Sequence, residues 1–131
     1  MTPEQALFHA FVVPAKRQRY TELVETKRGR DKICFSLDHF RDLDPRFCRR
    51  IDPAEHNVPD ILRILKSLGA PSDCYVISSD KELDKRQMDL REALNEVVGR
   101  GQGTFISCVP GELAYFEGEE RKERYVCHRR A

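Results

Sequence analysis

Apolar positions along the chain fall into short, interrupted runs whose spacing changes from helical to strand-like and back. Thr2-Pro3-Glu4-Gln5 carries a helix-start pattern: a capping hydroxyl, proline at the first helical position and Gln three residues after the cap. The spacing predicts a helix from Glu4 to about Phe11. A second helix is expected from Pro14 through Tyr20, Leu23 and Val24, with Gly29 as its stop. Lys32-Ile33-Cys34-Phe35-Ser36-Leu37-Asp38 is short and β-prone, and reads as a first strand. Ile61 to Leu68 has an apolar stripe at helical spacing and ends in Gly69.

Cys74-Tyr75-Val76-Ile77-Ser78 is almost continuously apolar, the mark of a strand covered on both faces. Asp84 is the expected cap of the next helix. Its apolar face is Leu83, Leu90, Leu94, Val97 and Val98, and Gly99 and Gly101 end it. Thr104 to Val109, Leu113 to Phe116 and Arg124 to His128 are three further strands. Pro110-Gly111 and the run from Gly118 to Glu123 turn the chain between them.

Together these elements predict an α/β fold with α+β as the alternative. The expected organisation is a single domain over 1–131, with a helical segment at 1–31, a β-α-β-α-β unit at 32–109 and a β-meander at 110–131. Strand–helix–strand units favour parallel pairing, so the expectation is a mixed five-stranded sheet with an antiparallel tail and packed helices. The charged last turn and Arg129-Arg130 are read as guards against edge-to-edge association.

Composition narrows the classes. With 131 residues, 40% hydrophobic and 34% charged at a net charge of +1, the chain has the makings of a real core and not of a disordered tract. No basic start followed by an apolar run is present, and no apolar stretch approaches a membrane span. The five cysteines are odd in number and lack CxxC spacing. They are read as reduced, which points to a cytoplasmic protein. Charge is uneven: residues 14–50 hold eleven Lys and Arg against six Asp and Glu, and residues 51–99 lean acidic.

Ligands of open α/β sheets gather beyond the carboxyl ends of parallel strands. Under that rule Asp38, His39, Ser79, Asp80 and Glu112 converge on one rim, with Asp84 close behind. Asp38, Asp80 and Glu112 would then be oxygen ligands for Mg²⁺ or Mn²⁺, with His39 beside Asp38 as a general base. This gives a metal-assisted hydrolase or phosphotransfer reading. A separate reading places nucleic acid on a basic helix face made by Lys16, Arg17, Arg19, Lys27, Arg28 and Arg30. Gly99-Arg100-Gly101-Gln102-Gly103 lacks the Lys-Ser/Thr of a phosphate loop and reads as a helix stop and turn. The chain contains no complete catalytic set. The leading expectation is a small binding or accessory protein that forms a homodimer or other homo-oligomer, with its small-molecule ligand unspecified.

Overall fold

Helices cover both faces of a single antiparallel sheet in the computed structural model, which describes residues 1–129. The strands are β1 (Cys48–Arg50), β2 (Asp73–Ser78), β3 (Gln87–Asp89), β4 (Thr104–Val109), β5 (Leu113–Glu117) and β6 (Arg124–His128), in the spatial order β1-β6-β5-β4-β2-β3. The helices are α1 (Pro3–Phe11), α2 (Arg17–Leu23), α3 (Lys27–Ser36), α4 (Val58–Ser67) and α5 (Leu90–Val97). Helices and sheet combine as expected, with six strands in place of five. None among the described helices is long and apolar enough to cross a membrane. Arg130 lies outside the described residues.

Local chemistry sets most element boundaries. Thr2 and Gln5 form a reciprocal capping box at α1, with Pro3 inside it. Asn57 caps α4 by accepting from Asp60 N, with Pro59 in the first turn. The β4–β5 connection turns at Gly111, whose φ of 75° suits a residue without Cβ.

Several expectations are corrected. Residues 32–36 are helical, and a single 3₁₀ turn follows at Leu37–His39. Thr26 starts this helix by accepting from Gly29 N, so Gly29 lies inside α3 and ends nothing. The burial pattern shows why: Ile33 and Leu37, four apart, are in the core, whereas Phe35 between them is 90% exposed. A strand would place all three on one face. With that strand gone, the β-α-β-α-β unit and its parallel pairing go too, because every pairing in the sheet is antiparallel.

The helix expected from Asp84 begins later. Asp84 accepts from Ser78 N and pairs with Arg30, so it is not available as a cap. Lys85 turns the chain at a φ of 67°, β3 runs along the sheet edge, and Asp89 caps α5 by accepting from Glu92 N.

Strand periodicity distributes side chains between two cores. Val76, Ile106, Tyr115 and Val126 pack with α4 and α5 on one face. Ile77, Phe105, Phe116 and Cys127 pack with α1, α3 and Phe40 on the other. This accounts for the nearly continuous apolar character of β2 without parallel neighbours. Most of the aromatic rings lie in the second core, where Phe105 and Phe116 are 4.6 Å apart and Phe8 meets Phe105 edge-on at 5.7 Å. Such ring pairs add about 0.5–1.5 kcal/mol each to what their burial contributes.

Candidate ligand-binding recess

Alternation in the last two strands carries charge into the α4/α5 face. Tyr115 and Val126 are core residues on that face, and two residues along their strands stand Glu117 and Arg124. The antiparallel register sets Glu117 opposite Arg124. Both are buried: Glu117 is 1% exposed and Arg124 8%. A buried charge requires partners, because desolvating it otherwise costs several kcal/mol.

Glu117 has its partners. Its carboxylate accepts from Tyr115 Oη at 2.7 Å, from Gly99 N at 3.1 Å and from Gly101 N at 3.0 Å. The two backbone donors come from the loop that ends α5. Gly99 and Gly101 have φ of 88° and 69°, a conformation that turns successive N–H groups toward an anion at no cost in Cβ crowding. Burial, with Glu117 beside it, drives the Tyr115 hydroxyl far above its ordinary pKa, so it remains a donor.

Arg124 is less well served. Its Nε lies 3.5 Å from Glu117 Oε1, too long and misaligned for a hydrogen bond, and this buried N–H has no other partner among the described residues. The side chain lines a recess of about 590 Å³ at the end of the sheet. Its walls are the start of α4, the Gly99–Gly101 loop and the β5–β6 turn. His56 lines it as well; its Nε2 donates to the Ile51 carbonyl at 2.8 Å, which fixes the ring.

The residues expected to form an acidic rim are placed as follows. Asp38 accepts from Ser79 Oγ at 2.7 Å and from Gly103 N at 2.6 Å, so Asp38 and Ser79 do meet. Asp80 follows at the same end of the sheet, where its carboxylate accepts from Glu82 N. His39 is 71% exposed and pairs through Nδ1 with Glu119 at 3.0 Å. Asp84 is bound to Arg30. Glu112 lies in the β4–β5 turn, past the opposite end of β4 from Gly103, because antiparallel strands send their carboxyl ends both ways. The convergence of Glu112 with Asp38 and Asp80 is thereby overturned. No group of three or more His, Cys, Asp or Glu among the described residues is placed to hold a metal ion.

The basic segment does not present one continuous face. Lys16 pairs with Asp42, Arg17 with Asp44 and Lys27 with Asp31. Arg30 is 6% exposed between Glu4 and Asp84. Arg28 is exposed on α3, and Arg19 borders a separate cleft of about 340 Å³ with Tyr20 and Lys32. All five cysteines carry free thiols; four are buried and Cys34 is half-buried. Burial pushes the Cys34 thiol up to about 11 and that of Cys108 to about 12, which suits packing and opposes nucleophilic use.

Glu117 and Arg124 escaped the sequence reading, although a signal was present. Each is a charged residue in phase with apolar residues on the buried face of a strand. No family model matches this chain, and neither a curated protein nor a solved structure matches it.

Proposed function

We propose that this chain is a small binding protein that holds its ligand in the recess at the end of β5 and β6. One observation carries the reading: the side chain of Arg124, nine-tenths buried, lines an open recess, and no acceptor among the described residues hydrogen-bonds its guanidinium. Glu117 stands on the Nε side, and a ligand acceptor in the recess would engage the guanidinium edge that Glu117 leaves free. The size also supports the reading, since about 590 Å³ lies within the range of small-molecule sites, roughly 300–1,000 Å³. Five free thiols favour a reducing compartment such as the cytoplasm for this role.

A metal-assisted enzyme is supported less well. The Asp38 carboxylate is engaged by Ser79 and Gly103, and His39 turns to Glu119 on the surface.

A thermal-shift screen against a panel of charged and uncharged metabolites tests the binding reading. A compound at a hundredfold excess over its Kd stabilises the fold by ~2.7 kcal/mol, a shift of several degrees. Val58→Trp, which fills the recess from the start of α4, is expected to abolish the shift while leaving the circular dichroism spectrum unchanged. A panel without hits, or hits that bind Val58→Trp as tightly, would overturn the reading.

A further inference from the structure

We infer that the recess recognises a compact oxyanion, a phosphate or a carboxylate, as the head group of a small molecule, with the Arg124 guanidinium as its principal anchor. This rests on the reading of the recess as a ligand site, and it adds the chemistry of the ligand.

The Arg124 side chain is the first donor on the recess wall. Guanidinium offers five N–H groups in a planar fork and accepts nothing, so whatever satisfies Arg124 must bring acceptor oxygens. Glu117 cannot supply them all. It stands on the Nε side at 3.5 Å and is already saturated by Tyr115, Gly99 and Gly101.

The start of α4 adds a second donor. Pro59 has no N–H, Asp60 N is taken by the Asn57 side chain, and Ile61 N by the Asn57 carbonyl. That leaves Val58 N–H, at the positive end of the helix and on the recess wall, as the unused donor of the first turn.

Charge alone does not select an anion here: Glu117, Glu119 and Glu120 line the recess, with Glu120 3.5 Å from Lys122 and Glu119 3.0 Å from the His39 imidazole. Arg121 supplies another guanidinium at the mouth. Inside, Glu117 balances Arg124, so selection of an anion rests on directed donors, the helix end and the guanidinium fork, and not on the net field. The recess is much larger than an inorganic ion needs, and its remaining length accommodates the body of the molecule that bears the anion.

The test is an amide NMR titration of the full chain with inorganic phosphate and, separately, with succinate, at constant ionic strength set with sodium chloride. Saturable shifts are expected at Val58, Gly99, Gly101 and Gly118, with phosphate alone marking a phosphate head group and succinate alone a carboxylate; both responding also supports the inference. Arg124→Met should weaken binding about tenfold or more. Because that change strands Glu117, the double variant Glu117→Gln/Arg124→Met, which buries no lone charge, is measured beside it and should fold and bind equally poorly. Absence of saturable shifts with either anion, or undiminished affinity in both variants, overturns the inference. If an uncharged compound fills the recess and the anions do not, the ligand class is wrong and the binding role stands. If recess-filling Val58→Trp leaves all binding intact, both fall.

Discussion

Arg30 and Asp84, 54 residues apart in the chain, meet as a two-pronged pair: Nη1 to Oδ2 at 2.6 Å and Nη2 to Oδ1 at 2.9 Å. The same guanidinium reaches Glu4 through Nε and Nη2, and Glu4 in turn accepts from Tyr75 Oη at 2.8 Å. One buried cation thus ties α1 and α3 to the loop that leaves β2.

Removing Arg30 leaves two carboxylates facing each other without a cation. Arg30→Ala should cost about 3–5 kcal/mol, the usual penalty for stranding buried charge. The neutral set Arg30→Met with Glu4→Gln and Asp84→Asn should recover most of it. Urea denaturation of the two variants checks both figures. Equal losses would show that lost side-chain packing and not stranded charge sets the cost.

Gly29 and Gly103 should reject even one methyl group. Alanine in place of glycine inside a helix normally gains up to about 1 kcal/mol. At Gly29 a Cβ would run into the Leu23 carbonyl, and at Gly103 into the backbone of Leu37 and Asp38. Gly29→Ala and Gly103→Ala should each destabilise by about 1–3 kcal/mol, as overpacking does. Thermal and denaturant unfolding read this directly.

Stability should decline in alkali. Burial raises Cys34 from its ordinary 9.0 to about 11, Cys74 and Cys108 to about 12, and Tyr75 from 10.0 to about 12. In the unfolded chain these groups lose their protons first, so the folded state binds more protons between pH 9 and 12. Stability is therefore whole below pH 9 and falls as pH rises through that window. Denaturation midpoints measured from pH 8 to pH 11 give the slope. At pH 8 the Cys34 thiolate fraction should be about a hundredfold below that of an ordinary thiol, and iodoacetamide labelling should slow in proportion.

The chain announces its caps and covered strands clearly. Thr2 with Gln5, the stripe from Ile61 to Leu65, and the runs at Cys74, Thr104, Leu113 and Arg124 all form the elements their patterns predict. Ile33-Cys34-Phe35 misleads because β-branched and aromatic residues suit strands, while the burial of Ile33 and Leu37 is decided by packing against the sheet. Strand direction is also invisible locally: helices on both faces give β2 the covered look of an interior parallel strand. β1 and β3, three residues each, are too short to leave a period. Of the candidate site, Asp38 does meet Ser79, but not for the reason the parallel-strand rule gives, since the expected first strand is a helix and its parallel pairing is absent. The recess needs the register that sets Glu117 against Arg124, and register is a tertiary property.

Asp38 holds more than its own turn. Its side chain anchors Gly103 and Ser79, and its carbonyl accepts from Glu119 N at 3.0 Å. Gly103 closes the loop that presents Gly99 and Gly101, and Glu119 belongs to the turn on the other wall. A residue that follows α3 therefore links the two loops that wall the recess at the end of the sheet. Substitutions at Asp38 are expected to alter the spacing of those two loops without touching the residues that line the recess.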